Sequence, residues 1–132
     1  MEKKEKQEKL TLAELIDQKE KVLARKNQTS ELYIKGLGGT ETVQAPAPSL
    51  LADVFKMQDG EGDKYLVFHS VTEPCLKDGG VMEAYGASDP LELMDKLFMP
   101  GEITMIAAEC MKLAGYGAGS VTKAEQAEKV KN

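Results

Sequence analysis

The chain has 132 residues, the size of one ordinary domain, and 42% of them are apolar, enough for a single core. Its formal net charge of −5 argues against a nucleic-acid surface, which needs a basic face to neutralise phosphates. No apolar run approaches the roughly 18–20 residues needed to span a bilayer, and the charged N-terminus lacks the apolar stretch of a secretion signal, so a cytoplasmic protein is expected. Aromatic residues make up only 5% and tryptophan is absent, which leaves aliphatic side chains and seven methionines to fill the interior. Cys75 and Cys110 stand apart with no CxxC pair. Both are expected to be reduced, buried, small hydrophobes.

In chain order, residues 1–10 alternate in sign, and Glu2 with Lys6 and Glu5 with Lys9 are i,i+4 pairs on a helix. Each pair is worth about 0.2–0.5 kcal/mol, too little to order an isolated end, so fraying is expected there. Thr11-Leu-Ala-Glu14 has the capping-box pattern, and Leu12, Leu15, Ile16, Val22 and Leu23 form a narrow apolar stripe that runs to about Arg25. This helix needs a partner, either the domain body or another subunit. After the polar break Asn27–Ser30, residues 32–35 read as a strand, 36–39 as a glycine turn and 40–44 as the return strand. A two-stranded hairpin alone is marginal in water and must pack on helices or join another edge. Ala45-Pro46-Ala47-Pro48 reads as a stiff connector, and Ser49 as the cap of a helix carrying Leu50, Leu51, Val54, Phe55 and Met57. A glycine loop from Asp59 to Asp63 follows.

Residues 64–73 admit two readings. β-Branched and aromatic content favours a strand, while so short an apolar run equally fits a buried helix. Asp78 starts a short helix through Met82 and Tyr85 that Gly86 stops. The clearest pattern spans residues 89–115. Ser88 or Asp89 caps a helix with Pro90 at its first position and Leu91, Leu93, Met94, Leu97 and Phe98 on its stripe. Pro100-Gly101 breaks it, because proline disfavours helical geometry at Met99. Ile103, Ile106, Ala107, Cys110, Leu113 and Ala114 then trace a second amphipathic helix, with Gly115 as its left-handed stop. The expectation is an α+β, predominantly α-helical fold: a small β-hairpin at about residues 31–44 packed with four to five short helices, including a helical hairpin at 89–115. Residues 1–29 form a charged segment and helix, 30–117 one globular domain, and 118–132 a flexible tail.

No reactive constellation emerges. His69 is the only histidine and has no carboxylate or cysteine at ligand spacing, so a satisfied, half-buried imidazole is favoured over a metal ligand. Gly36-Leu37-Gly38-Gly39 lacks the Lys-Ser/Thr and helix of a phosphate loop and reads as a hairpin turn. Asp59, Glu61 and Asp63 alternate as in a calcium loop, but Ser70 and Val71 occupy the offset of its bidentate glutamate. Serine and cysteine nucleophiles have no evident base beyond that one histidine. No cofactor, metal or catalytic residue is expected, and the chain does not read as an enzyme. The methionines carry more information. Met94, Met99, Met105 and Met111 cluster on or beside the 89–115 pair, with Met105 on the side opposite Ile103. Methionine-rich surfaces re-pack around varied apolar partners. Met94, Phe98, Met99, Met105 and Met111 are therefore the candidate partner-binding residues, although core filling suits any one methionine better.

Several motifs together carry a resemblance: Leu37-Gly38-Gly39-Thr40, Lys64-Tyr65-Leu66-Val67-Phe68, Glu73-Pro74-Cys75-Leu76-Lys77-Asp78, Glu83-Ala84-Tyr85-Gly86, Pro100-Gly101-Glu102-Ile103, and Met111-Lys112-Leu113-Ala114-Gly115-Tyr116-Gly117. In their order and spacing they resemble the XkdN-like tail assembly chaperones of PBSX-type prophages and related contractile-tailed phages, over roughly residues 10–117. The resemblance implies a mostly helical fold with a small β element, which tips residues 64–73 towards helix. It also implies a protein that coats the apolar tape measure protein in the bacterial cytoplasm and leaves as tube subunits polymerise, so that it is absent from the mature particle. The tail tube protein is an additional implied partner, and a frameshifted longer product accompanies many members. Client contact is expected on the 89–115 pair, with the N-terminal helix or charged end serving self-association into a homo-oligomer. The competing role is a structural tail or baseplate component that stays in the particle.

Overall fold

A computed structural model describes residues 8–124. The expected pairs Glu2–Lys6 and Glu5–Lys9 involve residues 2, 5 and 6, and the end of the expected tail is 125–132; these lie outside the described residues. Thr11 caps α1 (Leu12–Asp17): the Glu14 amide donates to its hydroxyl at 3.1 Å while its own amide donates to the Glu14 carboxylate at 2.9 Å. The expected single helix is bent at Gln18, whose φ of −102° and ψ of 28° separate α1 from α2 (Lys19–Ala24).

The sheet has the order β1 (Thr29–Ile34), β2 (Gly39–Gln44), β3 (Val71–Glu73), antiparallel throughout. Thr29 and Ser30, read in the sequence as part of a polar break, pair with Gln44 and Val43 and lengthen the hairpin. Alternation assigns Leu32, Ile34, Glu41 and Val43 to the inner face and Glu31, Tyr33, Thr40 and Thr42 to the outer one. On that outer face the Thr42 hydroxyl donates to the Glu31 carboxylate at 3.1 Å.

Helix α3 (Pro48–Lys56) begins at Pro48 with Ala47 as its cap, rather than at Ser49. A proline with φ already set and no N–H to satisfy suits the first helical position. The expected loop 59–63 is shorter than the glycines suggested: Asp59 and Gly60 turn with positive φ, and α4 (Glu61–Ser70) starts at once with Glu61 and Asp63 in its first turn. Negative charge is favourable there against the helix dipole. A side chain at Gly62 would place its Cβ 2.9 Å from the Val54 carbonyl oxygen and 3.2 Å from Val54 Cγ1. Glycine is what allows α4 to lie this close on α3.

Residues 64–73 combine both readings. Helix α4 runs to Ser70, and Val71 passes directly into β3. Leu66, Val67 and Phe68 are consecutive and all buried, because α4 is flanked by α3, by α6 (Pro90–Leu97) and by α7 (Pro100–Met111). A helix covered on several sides has no amphipathic period, which explains the ambiguity of the segment. Between β3 and α6 lies α5 (Gly79–Ala84), capped by the Asp78 carboxylate accepting from the Gly80 amide at 2.8 Å. Asp89 caps α6 by accepting from the Glu92 amide at 2.8 Å, and Pro90 holds the first position. The corner at Pro100–Gly101 forms, with Met99 extended at φ −75° and ψ 154°. Both helices of the pair lay their apolar faces chiefly on α4. After α7 a π-type turn over Lys112–Tyr116 carries Gly115 at φ +95°, the expected left-handed stop. The fold class is α+β and mostly helical, with seven helices and one small sheet among the described residues.

Candidate functional site

The five candidate partner-binding residues divide by burial. Met94 is fully buried and Phe98 is 4% exposed; both belong to the core with Leu66, Leu93 and Ile106. Their place on a surface patch is corrected: the stripe of α6 that carries them faces α4, and a side chain sealed in a core offers nothing to a partner. Met111 is half-buried against the same core. Met99 and Met105 are 66% and 70% exposed. Met99 points out because it follows Phe98 in extended backbone, where successive side chains alternate. Met105 points out because Ile103, Ile106, Ala107 and Cys110 take the inward face of α7. The two are six residues apart, so helical geometry sets them at different angles around α7 rather than side by side.

Polar groups frame both methionines. The Met99 amide donates to Glu102 Oε1 at 2.8 Å, and Glu109, one turn beyond Met105, pairs with the Lys112 ammonium at 3.1 Å. Two further exposed rings escaped the sequence reading. Phe55 of α3 and Tyr116 of the turn after α7 are 60% and 57% exposed, and they meet edge to face with centroids 6.2 Å apart. Periodicity placed Phe55 on the α3 stripe with Leu51 and Val54, and nothing in spacing marks the last turn of a helix as overhanging its core. Leu12, Ile16 and Leu23 on the N-terminal helices are exposed as well.

Three titratable groups are wholly or partly buried: Glu41, His69 and Cys110. Glu41 on the inner face of β2 is 5% exposed with Oε1 lacking a hydrogen-bond partner; burial, and then the Glu102 carboxylate, raise its pKa. A carboxyl closed off from solvent in this way cannot reach a substrate. His69 is half-buried edge-on to Tyr65 and Phe68, with centroids 4.4 and 5.0 Å away. Burial, and then Lys77, lower its pKa, while Asp53 opposes them. Cys110 is fully buried and its thiol is pushed up to about 11, chiefly by burial. Cys75, expected to be buried, is exposed. Leu76 takes the buried place beside it and turns Cys75 outward. Among the described residues no group of three or more His, Cys, Asp or Glu side chains could hold a metal ion. Nor is any of their helices long and apolar enough to cross a membrane.

What the described surface presents for contact is a set of separate exposed apolar side chains. No curated protein sequence and no solved structure matches the chain. The family model of the phage XkdN-like tail assembly chaperone proteins matches residues 2–131, which span everything described above. This chain belongs to that family of tail assembly chaperones.

Proposed function

We propose that this protein covers an apolar helical client, the tape measure protein, during tail assembly, and departs before the particle is complete. Membership of the chaperone family over residues 2–131 carries this reading. The exposed Met99, Met105, Phe55 and Tyr116 support it, since unbranched and aromatic side chains adapt to varied apolar surfaces. The net charge of −5 keeps a complex with a sticky helix in solution. Contact of this kind is reversible, because small separated anchors hold less tightly than one large preformed pocket. The work belongs in the host cytoplasm and involves no bond-making. The tail tube protein is the second partner, arriving as the chaperone leaves.

The test is co-expression with the tape measure protein. The double variant Met99→Glu with Met105→Glu should fold as the wild type does and lose co-purification. Retained capture by the folded variant removes these two residues from the contact, and absence of capture by the wild type removes the client. Mass spectrometry of finished particles separates this role from that of a retained tail or baseplate component, which would be present in fixed stoichiometry.

A further inference from the structure

The N-terminal helices present an apolar face that nothing described covers. Leu12, Leu15, Ile16 and Leu23 are 79%, 44%, 71% and 56% exposed. Among the described residues, α1 and α2 pack on each other and on the following turn Arg25–Asn27, and make only slight contact with the body. Helices of six residues are marginal alone in water, so this arm is a half-interface. Its charge says what fits it. Residues 11–18 hold two acids, Glu14 and Asp17, and no base, whereas residues 19–27 hold four bases, Lys19, Lys21, Arg25 and Lys26, against the single acid Glu20.

We propose that the α1–α2 arm pairs antiparallel with the same arm of a second copy. An antiparallel two-fold lays the acidic half of each arm on the basic half of the other, whereas a parallel pairing opposes like charges at both ends. Centred between Asp17 and Gln18, the antiparallel register sets Leu12 opposite the partner's Leu23 and runs each arm's acidic stretch alongside the partner's basic one. One sequence supplies both members of every such pair. The pairing goes beyond the client reading and needs no tape measure protein, so each can fail without the other.

Sedimentation velocity on the full chain, without client, tests it. Wild type should form a dimer whose population rises with concentration. Leu15→Glu with Ile16→Glu should sediment as a monomer while keeping the circular dichroism of the body, whose core uses neither residue. Two charge variants probe the orientation while leaving the Thr11–Glu14 cap intact: Asp17→Lys, and Lys19→Glu with Lys21→Glu. Each alone should dimerise at least about tenfold more weakly than wild type, equivalent to about 1.4 kcal/mol, and an equimolar mixture should recover association as a heterodimer. A wild type that is monomeric at every concentration overturns the proposal. So does a dimer that survives Leu15→Glu with Ile16→Glu, which would place the interface on the body. Charge variants that each dimerise alone as tightly as wild type refute the antiparallel orientation. Loss of tape measure capture by the apolar double variant, beside a monomeric wild type, would assign the arm to the client instead.

Discussion

Met94 and Met105 lie eleven positions apart on adjoining helices and share one chemistry, but only the first is enclosed. Met94 is 0% exposed among Leu66, Leu93 and Phe98, and Met105 is 70% exposed. Truncating a buried methionine to alanine removes its transfer free energy and leaves a cavity, together about 2–5 kcal/mol, while an exposed site usually moves stability by less than about 0.5 kcal/mol. A loss of about 3 kcal/mol in a domain of this size lowers the melting midpoint by roughly 12 °C. With a urea slope of about 2 kcal/mol/M, the same loss lowers the denaturation midpoint by roughly 1.5 M. Urea titrations of Met94→Ala and Met105→Ala, followed by circular dichroism, should therefore separate widely at equal slope. Equal midpoints, or a larger loss at Met105, would refute the division of these methionines into core and surface.

Glu41→Gln should raise stability at neutral pH and flatten its pH dependence. The Glu41 pKa is raised above 4.5, so its contribution is present below the ordinary carboxyl value and is lost as pH rises through the folded value. Thermal melts of both proteins across that range check the sign, and parallel curves would exclude Glu41 as the source. Gly62→Ala should cost about 1–3 kcal/mol, because a Cβ 2.9 Å from the Val54 carbonyl oxygen forces α4 away from α3; an unchanged urea midpoint contradicts that contact. A thiol reagent should label Cys75 in the native protein, and Cys110 only after denaturation, as its enclosure and a pKa of about 11 leave almost no accessible thiolate. Peptide mapping of the label reads this directly.

Much of the fold was legible because its signals are local. The Thr11–Glu14 box, Asp78 before α5, Asp89-Pro90 before α6 and the Pro100-Gly101 corner each act within one turn of chain, and each sits where the sequence put it. What escaped depends on distant neighbours. Strand β3 has only three residues and exists because β2 offers it an edge, which no local pattern records. Glu41 reads as an ordinary strand glutamate until the fold buries it and sets Glu102 of α7 near it. The candidate surface was half legible for the same reason. Helical spacing placed Met105 opposite Ile103, but it could not tell that Phe98 tucks inward at the end of α6 while Phe55 overhangs at the end of α3.

The direct passage from Ser70 to Val71 couples two layers that loops usually decouple. With no slack between the last turn of α4 and the first residue of β3, fraying of the sheet edge must tug on the helix at the centre of the core. Amide protons of β2 and α4 should thus exchange with solvent in a single opening event, slower than those of the arm before Thr29.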